Sequence, residues 1–261
     1  MSNVLAIYKR EIKSFFVSPI AYGVIAGFLV MSGFFFYITL TQFLDVTYRS
    51  TMEAQAAQQL PPPLNVNVMV IPSLFTYFAM IILLMNSLIT MKLFAEEKKM
   101  MTIELLFTSP ITSLQTVLGK FFAGFTLFMI MLLPTISYFL IMDIYGDPEL
   151  TPIFTGYIGL ILLGGVFIAI GIMASSLTEN QLVSVAISLS ISVLFWISSW
   201  PVNLMGTSFL SSIFNYLSLQ NHLIDFIGGI INTRDIIYFV SLIVFAIYIT
   251  YRSLESMRWR S

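Results

Sequence analysis

The chain has 261 residues, of which 58% are hydrophobic and only 10% are charged, and its formal net charge is −1. Because soluble domains carry roughly a quarter charged residues, a chain with so few charges cannot cover a water-facing surface, and the bilayer must be its solvent. The absence of cysteine excludes disulfide frameworks, thiolate metal sites and thiol catalysis.

Residues 3–16 predict an amphipathic helix that lies in the lipid headgroup plane. At about 100° per residue, one arc carries apolar side chains and the other carries Lys9, Arg10 and Lys13. Glu11 falls inside the apolar arc. Either its side chain snorkels to water, or it contacts another element at the same membrane face.

Six charge-poor apolar stretches follow, and each is a candidate membrane span. A helix needs about 20 apolar residues to cross the hydrocarbon core, and it leaves no backbone group unpaired there. The stretches cover about 19–41, 66–91, 121–142, 153–177, 182–200 and 236–254. The last is the shortest, since only 16 residues separate Asp235 from Arg252. We therefore expect one all-α integral membrane domain over residues 1–261.

The distribution of lysine and arginine predicts the orientation. Six spans place both termini on one side, and if that side is the cytoplasm, only Arg49 and Arg234 of the 12 basic residues lie outside. Cytoplasmic loops carry an excess of basic residues. We therefore expect a multi-pass inner-membrane protein with both termini in the cytoplasm, and its basic patches require no nucleic acid.

Two segments are predicted to lie outside the membrane. Residues 42–65 form a loop that ends in the stiff triplet at 61–63, where three prolines follow one another. Residues 209–231 are apolar but interrupted by polar side chains, which predicts short helices partly immersed from the outer face.

The cytoplasmic loop over residues 92–120 is the most informative stretch. It is rich in helix formers up to Phe107, and Pro110 then breaks the helix. Glu97 and Glu104 are seven residues apart, so that two helical turns stack them on one face. This pattern favours either a docking surface for another protein or a helix that packs on its own bundle while its lysines face lipid phosphates.

No motif for independent chemistry is present. The Gly119-Lys120 pair is followed by Phe121 and lacks the first glycine of a phosphate-binding loop, and no serine-hydrolase elbow occurs. His222 and Asp225 could share a helix face, but one histidine with one aspartate is a poor metal site. All charges lie outside the predicted spans or at their ends, which disfavours a proton- or sodium-coupled carrier. We expect neither catalytic residues nor a bound metal.

Four blocks of sequence resemble a known family. They are KREIKSFFVSPIAY (9–22), EEKKMMTIELLFTSPI (96–111) with LGK (118–120), ASSLTENQ (174–181) and HLIDFIGGIINTRDIIYF (222–239). Together they are similar to type-2 ABC exporter permeases (the ABC-2 family, type V exporter-like), and within it to the gliding-motility-associated and nitrous-oxide-reductase copper-maturation branch. The chain departs from the usual family pattern at two positions. Met101 replaces the glycine that usually precedes the threonine, and Asn232 stands where an acid is common.

The resemblance implies a subunit that pairs with a second or related permease and binds two cytoplasmic ATPase subunits, which hold the ATP and magnesium. This chain itself would carry no cofactor. Residues 93–107 would be the coupling helix seated on the ATPase, and the amphipathic helix would be the connecting helix beside it. The implied ATPase-coupling residues are Glu11, Glu96, Glu97, Thr102, Glu104, Phe107, Glu179 and Asn180.

The resemblance also implies a transport route and an outer gate. In similar exporters the second and fifth spans line the dimer interface, which makes Asn86, Ser87, Ser188 and Ser192 pathway candidates. A re-entrant helical pair closes the outer side there, with His222 and Asp225 as gate candidates.

We expect a permease subunit of an ATP-driven ABC exporter. The alternative is a membrane scaffold, related to gliding or secretion, that transmits ABC-driven force to envelope proteins and moves no cargo. A third possibility, an autonomous carrier or channel, predicts activity without an ATPase. Cargo, direction and pairing with an identical or a related copy stay open at this stage.

Overall fold

The computed structural model describes residues 2–60, 65–102, 111–145, 148–202 and 209–258, and no strand occurs in these ranges. The helices are α1 (Ser2–Val17), α2 (Pro19–Ala56), α3 (Val66–Thr90), α4 (Lys92–Lys99), α5 (Ser113–Leu132), α6 (Ile136–Tyr145), α7 (Leu150–Leu177), α8 (Gln181–Ile197), α9 (Phe209–Leu217), α10 (Leu219–Ile227) and α11 (Thr233–Arg258), and a 3₁₀ turn (Leu133–Thr135) joins α5 to α6.

Side-chain caps determine where several of these helices begin. Ser18 accepts a hydrogen bond from the Ile20 amide ahead of α2, and Asn65 accepts one from the Asn67 amide ahead of α3. Before α5, Thr112 and Gln115 form a reciprocal capping box. These caps satisfy amide groups that have no partner within the helix.

Five helical segments are long and apolar enough to cross a membrane. They are α2, α3 with α4, α5 with α6, α7, and α11. The predicted fifth span corresponds to α8, which is apolar but has only 17 residues. That length is at the lower limit of about 17–25 residues for a transmembrane helix.

The predicted outer loop over residues 42–65 is wrong for its first part, because α2 continues to Ala56. Asp45 and Arg49 form a salt bridge of 3.0 Å one helical turn apart, and no glycine or proline interrupts the segment. The helix therefore need not end where the hydrocarbon ends. With 38 residues, α2 is about 57 Å long, against a hydrocarbon core of about 30 Å. The proline triplet at 61–63 lies outside the described residues.

The third predicted span also differs at its start and in its middle. Since Thr112 caps it, α5 begins at Ser113, eight residues before the predicted Phe121. Pro134 then lies in the 3₁₀ turn that separates α5 from α6. By contrast, Pro72 lies inside α3 without ending it.

The predicted single helix over residues 93–107 is wrong as a continuous element. The observed helix, α4, ends at Lys99, and Met101 adopts a left-handed backbone conformation with φ of 54°. Glycine, which the family resemblance implies at this position, adopts this conformation without steric cost. Glu104 and Phe107 lie outside the described residues.

The bundle has two chemically different ends. One end carries α1, α4 and the C-terminal part of α11, and we call it the terminal end. The opposite end carries α10, where the hydroxyl of Thr155 at the start of α7 donates to the Phe226 carbonyl at 2.6 Å.

Helix α7 forms the centre of the bundle and is the most deeply buried of the long helices. Its glycines allow aromatic rings to approach the backbone closely. A Cβ atom added at Gly164 would lie 2.4 Å from the ring of Phe128 on α5. Close helix approach through small residues is a general means of packing membrane helices.

We expect Gly164→Ala to destabilise the protein by about 1–3 kcal/mol, because the new methyl group overlaps the Phe128 ring. Gly23→Ala is the matched control, since nothing beyond its chain neighbours and the backbone of its own helix lies within 4 Å of the added Cβ. Alanine there should leave stability unchanged or raise it by up to about 1 kcal/mol. Thermal unfolding in mild detergent measures both, and equal effects would contradict the packing role of Gly164.

Candidate functional site

A buried lysine joins three helices at the terminal end. Lys120, near the start of α5, is only 1% exposed. Its Nζ lies 3.1 Å from Glu11 Oε1 on α1 and 3.0 Å from Glu97 Oε1 on α4. It also donates to the Leu93 carbonyl at 2.6 Å and lies 5.0 Å from the centroid of the Phe94 ring. The ammonium group thus holds α1, α4 and α5 together.

Arg10 completes this arrangement, which we call the charge cluster (Arg10, Glu11, Glu97 and Lys120). Its Nη2 lies 2.6 Å from Glu11 Oε1 and 2.7 Å from Glu97 Oε1. Each of the two carboxylates therefore contacts two cations, and the cluster is formally neutral. A charge removed from water must be paired in this way, because an uncompensated buried charge is strongly destabilising.

The charge cluster shifts the titration of Glu11. Burial by itself raises the pKa of Glu11, but the ammonium of Lys120 and the guanidinium of Arg10 outweigh that effect. The pKa of Glu11 therefore lies below its ordinary value of 4.5. The carboxylate is ionised at neutral pH, which is the form that both cations require.

The other side of α4 is attached to α7 through Ser175. Its hydroxyl accepts hydrogen bonds from the amides of Phe94 and Ala95, each at 3.0 Å, and donates to the Met91 carbonyl at 3.0 Å. The first amides of a helix have no partner within that helix. Ser175 therefore supplies from another helix what a local cap normally provides.

The carbonyl of Ser176 extends the attachment to α11. It accepts a hydrogen bond from Lys98 Nζ and another from the Ser253 hydroxyl, the latter at 3.2 Å. Helix α4 is consequently bonded to α1 and α5 on one side and to α7 on the other, and α11 bonds the same carbonyl of α7.

The remaining predicted coupling residues occupy different surroundings. Glu96 lines the same cleft as Glu97, and the Thr102 hydroxyl donates to the Glu97 carbonyl at 3.2 Å just after α4. Glu179 lies exposed between α7 and α8, where Asn180 caps α8 by accepting from the Leu182 amide at 2.9 Å. Asn180 therefore has a structural task in starting α8.

The predicted pathway residues lie inside the bundle. The Ser87 and Ser188 hydroxyls form a hydrogen bond of 3.0 Å, and Asn86 donates to the Gly164 carbonyl at 3.3 Å. Ser192 is also buried, and its hydroxyl has no hydrogen-bond partner among the described residues. These four side chains form a buried polar seam, in which Ser87 on α3 meets Ser188 on α8 and Asn86 on α3 meets α7.

The predicted His222 and Asp225 have different partners at the opposite end. His222 Nδ1 lies 2.5 Å from Asp235 Oδ1, and its Nε2 donates to the Tyr216 carbonyl at 2.9 Å. Asp225 accepts from Asn232 Nδ2 at 2.5 Å. From the sequence, Asp235 was assigned only as the boundary of the last span, although it is an acid 13 residues after the single histidine.

Lys120 and Arg10 are functional candidates that the sequence analysis did not select. Both residues lie in blocks that carry the family resemblance, but no role was assigned to Lys120 beyond a failed phosphate-binding motif or to Arg10 beyond a basic arc. One signal was available, because Glu11 in an apolar arc either snorkels or has a partner. The structure shows that it has partners, and that one of them lies 109 residues away on α5.

The comparison with known families decides the class of the protein. A family model described as ABC-2 family transporter protein matches residues 5–257. The chain belongs to this family. No curated protein matches it significantly.

Members of the ABC-2 family are membrane components of ABC transporters, so this chain is a non-catalytic permease subunit of such a transporter. Membership implies an ATPase partner. The apolar helices and the family together indicate a multi-pass membrane protein. Within the described ranges, no group of three or more histidine, aspartate or glutamate side chains could hold a metal ion.

We expect Lys120→Met to destabilise the protein by about 3 kcal/mol or more, because the buried carboxylate of Glu11 and the half-buried carboxylate of Glu97 would remain with Arg10 as their only cation. Lys99→Met removes an exposed lysine from the end of α4 and should change stability by less than about 0.5 kcal/mol. The double variant Lys120→Met with Glu97→Gln should recover part of the loss. Chemical or thermal unfolding in detergent measures the three variants, and equal effects of the two single substitutions would contradict the cluster.

The lowered pKa of Glu11 predicts a pH dependence. Its stabilising contribution is present above its ordinary pKa of 4.5 and is lost as the pH falls through the lower folded-state value. We therefore expect wild type to be more stable than Glu11→Gln at neutral pH, with the difference disappearing in acid. Unfolding measured in steps from about pH 7 to about pH 3 tests this. A difference that stayed constant over the series would exclude the charge of Glu11 as its cause.

Proposed function

We propose that the chain is the permease subunit of an ATP-driven ABC exporter and that α4 receives force from a separate cytoplasmic ATPase. The observation that supports this is the two-sided attachment of α4, by the charge cluster on one side and by Ser175 on the other. ATP binding alters only the ATPase, so its effect must reach the permease through rigid elements in contact with it. Helix α4 has the attachments that such an element needs.

In this proposal the predicted coupling residues divide into two groups. Glu11 and Glu97 hold α1 and α4 in position through Lys120, while Glu96, Glu179 and the segment with Glu104 and Phe107 contact the ATPase. The first group supports the element and the second receives the force. Six spans with α8 as the fifth, both termini in the cytoplasm and a dimer of permeases complete the proposed architecture.

At the opposite end, α9 and α10 would form the outer gate of the exporter. The support is the buried contact between His222 on α10 and Asp235 at the start of α11. The seam of Asn86, Ser87, Ser188 and Ser192 would open as α8 separates from α3. Their hydroxyl and amide groups would then face a polar part of the cargo.

One observation favours the second candidate function, a scaffold that acts on envelope proteins without moving cargo. Helix α2 extends by 15 residues beyond the predicted end of its span at Thr41, and Leu44, Tyr48 and Met52 lie exposed on this extension. Their spacing of four places them along one helical stripe. Such a projection could contact a protein outside the membrane. Cargo movement in proteoliposomes separates the two functions.

The deciding experiment is affinity purification in mild detergent, identification of the co-purifying ABC ATPase and measurement of its ATP turnover. We expect Ser175→Ala to retain the ATPase but to reduce the stimulation of its turnover by the permease about fivefold or more, because two buried amides lose their acceptor and α4 keeps only the Lys98 hydrogen bond to α7. Ser256→Ala, at an exposed serine of α11, should have no such effect.

Two results would contradict the proposed function. One is a wild-type chain that associates with no ABC ATPase. The other is a purified chain that moves a solute in liposomes without any ATPase, which would show an autonomous carrier or channel.

A further inference from the structure

The ring of His222 on α10 joins three helices at the end opposite the terminal end. Its Nδ1 lies 2.5 Å from Asp235 Oδ1 at the start of α11, and its Nε2 donates to the Tyr216 carbonyl of α9 at 2.9 Å. The ring also stacks on that of Tyr238 on α11, with the centroids 4.0 Å apart. His222 and Asp235 are each only 3% exposed. The contact is therefore removed from water, at the point where α9, α10 and α11 meet.

The partners of the two ring nitrogens fix the number of protons that this contact needs. A carbonyl oxygen only accepts hydrogen bonds, so Nε2 must carry a proton. Nδ1 faces a carboxylate oxygen, and an ionised carboxylate also only accepts. A hydrogen bond between Nδ1 and Asp235 Oδ1 therefore requires one further proton between them, on either atom. With both protons present, the pair as a whole is neutral.

Loss of the shared proton would turn this attraction into repulsion. The lone pair of Nδ1 would face the ionised carboxylate of Asp235, and the buried pair would carry a net negative charge. An uncompensated buried charge is strongly destabilising. The second carboxylate oxygen, Oδ2, is also buried and lacks a hydrogen bond within the described part of the chain. Among the described residues, the Asp235 side chain therefore depends on His222 as its polar partner.

The ionisable groups around the pair do not replace the shared proton. The Tyr238 hydroxyl donates to a carbonyl at the end of α9, at 2.6 Å. The guanidinium carbon of Arg234 lies 5.2 Å from the centroid of the Tyr216 ring, whose edge in turn meets the imidazole. Asp225 on α10 accepts from Asn232. Helix α7, which packs on α10, has no charged residue, and α10 has no basic residue other than His222.

Helix α9 is loosely packed on the side away from His222. Phe214 and Leu217 of α9 line a cavity of about 510 Å³, and Leu194 and Trp200 line it from α8 and its end. The cavity is bordered mainly by apolar side chains, which offer no polar contact to α9. The position of α9 therefore depends on the hydrogen bonds at its other side, of which the one from His222 requires the shared proton.

We propose that the contact between His222 and Asp235 is a proton-dependent latch on α9. The shared proton holds the end of α9 against α10 and α11. When a higher pH removes it, the ring is repelled from Asp235, withdraws its Nε2–H from Tyr216 and loosens α9. The regulatory meaning rests on the proposed function, in which α9 and α10 form the outer gate, so that acidity at the outer face keeps the gate closed. The latch itself is a property of this chain and is tested on the permease alone, whether or not an ATPase binds.

Two asparagine substitutions form a matched pair for the test. Asp235→Asn places an amide beside Nδ1, and this amide presents an N–H to the neutral ring or an oxygen to the protonated ring. The contact then no longer needs the shared proton. Asp225→Asn makes the same change in charge at the same end, at an acid that contacts Asn232 instead of His222.

Two readouts use the composition of the chain. His222 is the single histidine, so nitrogen NMR of isotope-labelled histidine reports the protonation of this ring alone. The chain has no cysteine, so Ser211→Cys and Ser212→Cys each introduce a single thiol on α9, the first at a buried and the second at an exposed position. The ratio of their labelling rates with a maleimide measures the loosening of α9 and removes the common effect of pH on thiol reactivity.

We expect the wild-type background to show a rise in this ratio of about fivefold or more between about pH 5 and about pH 9 in mild detergent. The rise should occur at the pH where the NMR signals of His222 change. Asp225→Asn should behave like wild type, whereas in Asp235→Asn the ratio should stay within about twofold over the whole range.

Three results would contradict the latch. One is a wild-type ratio that stays constant over the range, and another is a ratio that changes at a pH where the His222 signals do not. The third is an equal rise in wild type and in Asp235→Asn, because the shared proton would then not be its cause. If Asp235→Asn fails to fold, the coincidence of the two wild-type transitions decides by itself.

Discussion

A charge that leaves water must find a partner of opposite sign, and the terminal end of this protein is organised around that requirement. Lys120 is buried at the start of α5, so that α1 and α4 must each bring a carboxylate to it. The same requirement explains why Glu11 lies in the apolar arc of α1, because that arc faces Lys120. The charge cluster is therefore what places the amphipathic helix α1 beside α4, and the cleft between them is a consequence of that placement.

The lipid environment imposes the second constraint, because unpaired backbone groups are costly where water is scarce. Several helices begin at side-chain caps, and α4 begins with the hydroxyl of Ser175 from another helix. This borrowed cap couples α4 to α7, the centre of the bundle. An element that depends on its neighbours for both charge pairing and capping cannot move alone, which is the physical basis for its proposed role in transmission.

The local sequence was sufficient to predict a helix boundary where a cap and an apolar run next to it determine that boundary. The start of α3 at Val66 was predicted correctly, since an asparagine cap precedes an uninterrupted apolar run. The end of α2 was predicted incorrectly, because the disappearance of apolar residues marks the edge of a bilayer and not the end of a helix. The segment over 93–107 was predicted as one helix because its residues are good helix formers, yet the chain turns at Met101 in a conformation that residue propensities do not reveal.

The sequence by itself determined that the chain is a helical integral membrane protein. It also determined where most apolar segments lie and which family the chain resembles. These properties follow from composition and from periodicity within short windows. Only the tertiary structure decided that Glu11 meets Lys120, that Ser175 caps α4 and that His222 pairs with Asp235 instead of Asp225. Partners for buried polar groups are chosen by the packing of helices distant in the chain, and a single sequence contains no periodic signal for that choice.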